Sequence, residues 1–207
     1  MSSLKHFGAY GRAWLLAWSL VFFALTPVAL AQTVAAKATA ALDQAKTALA
    51  VEDFKTALEA MWVAQEAIWN QAPLAIRNAA FVTEQPENFG TYKPRANADF
   101  QEHEPLIFYS ELYGFTQRKT DAGVYNYSIN GAFTIIDSKN QPIGGQDNLG
   151  PYEMKGYRTF SVENMLAMTI GVQGLPVGSY TLRVTLTDNL NPAKTAFIDK
   201  PFRLVSE

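Results

Sequence analysis

Apolar residues along this chain keep two different periods, and the change between them divides it. From Thr33 to about Asn70, a stretch free of glycine and proline, they recur at helical spacing: Leu42, Ala45, Leu49, Phe54, Ala57, Leu58, Met61 and Ile68. Val51-Glu52-Asp53 interrupts the run. Asp53 is placed to cap a second helix whose apolar face starts at Phe54, so the pattern predicts two helices. After Phe100 the period falls to two. In LIFYSELY, Leu106, Phe108, Ser110 and Leu112 share one face, and Ile107, Tyr109, Glu111 and Tyr113 the other. If the first set is core, Tyr109 and Tyr113 are surface or hairpin contacts. SYTLRVTLTD alternates in the same way, with Tyr180, Leu182, Val184 and Leu186 inward. Further strands are predicted in YNYSI, AFTII, MLAMTIGV and FIDKPFRLV, separated by turn-forming SKNQPIGG, GLPVG and NLNPAK. From Pro73 to Phe100 the chain reads as a short helix end and then an extended connector, with room for a first strand at Asn88 to Pro94.

No helical run separates the later strands, which disfavours a parallel α/β sheet. Tyr180 follows the turn Pro176-Val177-Gly178, where Ig-like sandwiches place a corner tyrosine. The expected fold is α+β, a tetratricopeptide-like helical hairpin followed by an antiparallel Ig-like β-sandwich. The expected divisions are a signal peptide over 1–31, the hairpin over 32–80, the connector over 81–100 and the sandwich over 101–207.

The segment AKTALAVEDFKTALEAMWVAQEA has the small residues of one tetratricopeptide-type unit at Ala45, Ala48, Ala57 and Ala64, and an aromatic at Phe54. Such units stack in series to bury their faces, yet the period does not recur here. A lone hairpin must bury its stripe on the following domain or on a second copy. Trp62 and Trp69, seven residues apart, are the candidate contacts; the plainer alternative is that both seal the hairpin onto its own chain.

The N-terminus bears on compartment. Lys5 and Arg12 precede the apolar run Ala13 to Leu25, and Ala29-Leu30-Ala31 closes the segment, the layout of a secretory signal peptide cleaved before Gln32. The run is shorter than the roughly 20 residues of a spanning helix. The expectation is a periplasmic protein, soluble after cleavage. Loss of Lys5 and Arg12 from 17 basic residues leaves 15 against 19 acidic ones, a net charge of −4 with no basic stripe for nucleic acid or anionic lipid. The chain contains no cysteine, so an apolar core must hold it together without disulfides.

That composition also narrows the chemistry. His103 is the single histidine of the expected mature chain. It lies between Glu102 and Glu104 on an extended run, a poor metal set because neighbouring side chains alternate sides. Neither a G-x-S-x-G elbow nor a cysteine nucleophile is present. Gly144-Gly145 reads as a turn, not a phosphate cradle, and Asp188-Asn189-Leu190-Asn191 as a β-turn in preference to a calcium loop. Glu111 could join a second acid in a cleft, or pair with Arg95 or Arg158. The strand tyrosines, Tyr109 and Tyr113 among them, could stack on sugars or grip a peptide. No catalytic residue, metal ligand or cofactor is expected.

Beyond these patterns, the hairpin ending AIWNQAPL, the connector FVTEQPENFGTYKPR, the strand EPLIFYSELYGF, the turn region PIGGQDNLG, and the pair GLPVGSYTLRVTLTD and AFIDKPFRLV together span most of the expected mature chain. In these pieces the chain resembles a family of uncharacterised exported bacterial proteins that share an N-terminal helical hairpin and a C-terminal Ig-like β-sandwich. The resemblance implies that architecture and no particular activity. Where the family commonly carries Gly-Glu-Pro this chain has His103-Glu104-Pro105, so the resemblance gives His103 no shared role. The functional expectation is a non-enzymatic interaction or structural module with a protein partner. Its candidate binding residues are Trp62, Trp69, Tyr109, Glu111 and Tyr113, and a homodimer is one form such binding could take. The alternatives are a glycan-binding module and a carboxylate-based hydrolase.

Overall fold

The computed structural model describes residues 27–157 and 159–206. Most of the expected signal peptide, and Arg158, lie outside the described residues. Helix α1 spans Pro27–Ala50, so the expected cleavage point at Ala31 falls within it, and α2 spans Phe54–Gln71. Among the described residues no helix is long and apolar enough to cross a membrane.

Asp53 caps α2 as its position implies, accepting the backbone N–H of Thr56 at 3.1 Å. Hydrogen bonding from Thr56, by its side chain first and its backbone N–H second, holds the Asp53 carboxyl below its ordinary value. The two helices meet along a seam made of alanine alone: Ala38, Ala41, Ala45 and Ala48 of α1 against Ala57, Ala60, Ala64 and Ala67 of α2, all buried. Spacings of three and four residues keep each stripe on one face, and side chains of one carbon let the helices approach closely.

The next element corrects the sequence reading. Where a helix end was expected, a strand, β1, runs Ala75–Phe81. The cause is Pro73, which pushes the preceding residue out of the helical region: Ala72 caps α2 at φ −61°, ψ 145°. The strand expected at Asn88 to Pro94 is replaced by two isolated bridges, Val82 to Pro94 and Asn88 to Thr91. Next come β2 (Asp99–Gln101), β3 (Leu106–Tyr113) and β4 (Arg118–Lys119). YNYSI and AFTII join without a break in β5, Tyr125–Ile136, which pairs with β6 (Pro142–Gln146) and β7 (Tyr152–Tyr157). β8 (Met165–Ile170), β9 (Gly178–Asp188) and β10 (Thr195–Val205) complete the chain.

These strands form two sheets, one ordered β1-β3-β8 and a larger, curled one ordered β2-β10-β9-β5-β4 with β6 and β7 also on β5. The pairings are antiparallel except β2, which runs parallel to β10 through Arg203 and Asp99, Leu204 and Phe100, and Val205 and Gln101. Both sheets feed one core: Leu106, Phe108 and Leu112 of β3 and Leu166 and Met168 of β8 meet Leu182, Val184 and Leu186 of β9 and Phe202 and Leu204 of β10. Phe81, Phe100, Phe108 and Phe202 pack edge to face within it. Each such pair adds roughly 0.5–1.5 kcal/mol beyond simple burial. Tyr180 lies flat on Phe202, and its hydroxyl donates to the carbonyl of Pro176 at 2.7 Å.

The turn Asp188 to Asn191 is held by its own first residue. The buried Asp188 carboxylate accepts the N–H groups of Leu190 and Asn191, and that of Thr116 from across the molecule at 2.6 Å. Both carboxylate oxygens are thus engaged by backbone donors. Among the described residues, no cluster of three or more acidic or histidine side chains is placed to hold a metal.

Candidate functional site

The five candidate side chains fall into two places. Tyr109 and Glu111 belong to a closed network on β3, contrary to the expectation that Tyr109 faces the surface or the hairpin; both are buried. Alternation along β3 is real, but the connector covers its second face: Tyr92 stacks on Tyr109 with ring centres 4.1 Å apart. The Tyr109 hydroxyl accepts the N–H of Gly90 and donates to Glu111 Oε1 at 3.0 Å. Glu111 Oε2 accepts from Arg77 Nε at 3.1 Å and from Asn78 Nδ2 at 2.8 Å. Asn78 reaches it from a left-handed backbone, φ 51°, at the irregularity between Arg77 and Ala80 in the β1–β3 ladder. Burial raises the Tyr109 phenol above its ordinary value, an effect that the Gly90 N–H opposes and the Glu111 carboxylate reinforces.

Glu111 therefore pairs with Arg77, not with Arg95, whose guanidinium binds Glu104 and the carbonyl of Asp99 while lying over the Phe100 ring. Guanidinium, amide and phenol around one carboxylate make a structural clamp between β1, β3 and the connector. His103 sits exposed in the turn between β2 and β3.

Trp69 and Tyr113 mark the junction of hairpin and sheets. The Trp69 indole N–H donates to the Phe115 carbonyl at 2.9 Å, and its ring meets Tyr113, Phe115 and Phe160 edge-on. Beside it Lys194 donates to the carbonyls of Asn70, in the last turn of α2, and Gly114. Burial lowers the Lys194 pKa, with Asp188 acting in the opposite sense. Trp62 behaves differently: it stands 64% exposed. Two helical turns separate the indoles, which share a stripe but not an environment.

Around Trp62 lie two hollows. One, of about 500 Å³, opens between α2 and the larger sheet and is lined by Trp62, Glu66, Lys119, Tyr125 and Phe160. Tyr125 donates to Glu66 at 3.1 Å there, and Lys119 lies 5.4 Å from the Tyr125 ring centre. The other, of about 570 Å³, runs along the hairpin between Leu42 of α1 and Leu58, Met61 and Ile68 of α2, and ends against Trp69 and Tyr113. It is overwhelmingly apolar. Because alanine fills the seam, the bulky residues of both helices are displaced to its flank, where Leu42, Leu49, Phe54, Leu58, Met61 and Ile68 are between 48% and 61% exposed. The helical periodicity gave these residues and the alanines as one set; the structure separates them into an inner and an outer stripe.

No family model matches the chain, and no curated protein matches it.

Proposed function

We propose that this protein is an exported, periplasmic, non-enzymatic interaction module, in which an Ig-like β-sandwich carries a tetratricopeptide-like hairpin that docks onto a protein partner. Export is supported by the basic flank, apolar run and Ala29-Leu30-Ala31 of the N-terminus. The Ig-like reading is supported by the strand pairing: β1, β3 and β8 on one side, β10, β9 and β5 on the other, with β2 added parallel to β10. Tyr180, near the start of β9 and bonded back to Pro176, has the geometry of a tyrosine corner. Small residues between the helices and bulky ones on a flank are what a stacked helical repeat carries toward its neighbours.

The observation that carries the functional reading is the outer apolar stripe of the hairpin, six large side chains half exposed along one flank, because large apolar patches on a folded surface mark interaction sites. A pull-down from the periplasm with the wild-type chain and Trp62→Ala as bait tests it. Loss of the captured proteins with the variant is expected; recovery of the same set with both would take the hairpin out of the mechanism.

Glycan binding is a second reading, moved from the sheet tyrosines to the hollow where Trp62, Tyr125 and Phe160 stand beside Glu66 and Lys119. Titration with a glycan panel, followed by tryptophan fluorescence, would decide it, and no response at millimolar ligand would end it. A carboxylate-pair hydrolase draws no support from Glu111, whose oxygens are occupied by Arg77, Asn78 and Tyr109.

A further inference from the structure

We infer that the occupant of the hairpin's outer face is a second copy of this chain, the two hairpins closing face to face into a four-helix bundle about a two-fold axis. The inference rests on the docking role proposed above and names the partner.

The pattern on α2 leads to it. Ala57, Ala60, Ala64 and Ala67 form one heptad-spaced stripe, already closed against α1. Phe54, Leu58, Met61, Gln65 and Ile68 form a second, at spacings of four and three, and among the described residues it is left exposed. Two adjacent seams on one helix are the pattern of a helix with helical neighbours on two sides. Among the described residues α1 is one such neighbour, and the hairpin does not recur in the sequence. A second copy supplies the other.

Area agrees with this. At roughly 100 Å² of apolar surface for each half-exposed large side chain, the stripe with Leu42, Leu49 and Trp62 offers about 700 Å² per copy. Two copies would remove about 1,400 Å² from water, within the range of stable specific interfaces.

Gln65 adds a third argument. It is exposed in the middle of the bulky stripe, an uncharged polar group among apolar ones. A primary amide both donates and accepts, so across a two-fold axis it satisfies its own copy, and a single polar residue in such a seam fixes register. Charge disfavours one other occupant, an anionic membrane surface. Between residues 33 and 71 three lysines stand against five carboxylates, the wrong balance for an anionic membrane surface.

The test uses protein purified from the periplasm of an expressing cell. Sedimentation equilibrium is expected to give a dimer at micromolar concentration, a monomer for Met61→Asp, and a dimer for Val63→Asp, a change outside the stripe. Circular dichroism should be the same for all three. Because the chain has no cysteine, Gln65→Cys gives an independent reading without background: a disulfide-linked dimer should form in the oxidising compartment, and Val63→Cys, dimeric like the wild type, should form no disulfide across the seam. A wild-type monomer throughout the micromolar range, or a dimer that survives Met61→Asp, overturns the inference. If a monomeric wild type still captures another protein through Trp62, the docking role stands and only the identity of the occupant falls; if it captures nothing, both fall.

Discussion

Trp69 donates its indole N–H to the carbonyl of Phe115 at 2.9 Å, and the ring of Phe115 stands perpendicular to the indole at 5.2 Å. This joins the last turns of α2 to the corner after β3, and with the Tyr125–Glu66 bond it fixes the base of the hairpin on the sheets. Replacing the indole by a ring without a donor isolates the bond. Trp69→Phe should cost about 1 kcal/mol and Trp69→Ala about 3 kcal/mol or more in urea unfolding. An unchanged midpoint for Trp69→Ala would mean that the junction contributes nothing to holding the molecule together.

Gly114 lies at the same corner, with φ +75° and no room for a side chain. A Cβ there would stand 2.0 Å from the Pro73 carbonyl oxygen, which is backbone and cannot swing aside. Left-handed strain and overlap act together, so Gly114→Ala should destabilise by at least about 3 kcal/mol. Chemical unfolding measures it. Gly123→Ala is the control, since its φ is also +75° but a Cβ there meets nothing within 4 Å. The control should lose only the backbone contribution, about 1 kcal/mol.

Several carboxylates give the fold an acid limit. Asp99 and Asp199 each form a two-bond pair, with Arg203 and Arg183 respectively, and these bonds lower both carboxyl pKa values below 3.8. Glu153, bonded to Lys155, is lowered from 4.5. A carboxyl whose folded pKa is depressed binds fewer protons folded than unfolded, so its contribution is complete above the unfolded value and is lost as pH falls through the folded one. The thermal midpoint should therefore be flat from neutrality down to about pH 5 and fall below about pH 4. Asp199→Asn should make that fall shallower. All three carboxylates are partly exposed to solvent, so the slope should also weaken with added salt.

The sequence discloses most where one residue decides a local outcome. Asp53 caps α2 because a carboxylate at that step can reach the Thr56 N–H whatever surrounds it, and β9 alternates because one face is core along its whole length. It discloses less where the outcome depends on distant chain. AIRNAAF has no clean alternation, and Asn78 inside it turns to reach Glu111, so β1 has no period to read. Tyr109 and Glu111 alternate away from the core as expected, yet a period of two cannot say that Tyr92, seventeen residues earlier, will cover them. The hairpin carries the same lesson. Leu58 and Ala57 obey one helical period equally well, and the choice of alanine for the inner seam follows from how closely two antiparallel helices pack, which no single helix encodes.

The outer stripe should therefore behave as an interface, so its stability must depend on concentration. The thermal midpoint of the wild-type protein, measured at low and at high micromolar concentration, should rise with concentration because dimer formation draws the equilibrium toward the folded state; Met61→Asp should melt at one temperature throughout. A wild-type midpoint that does not move with concentration would contradict the claim that this face is covered by a second copy.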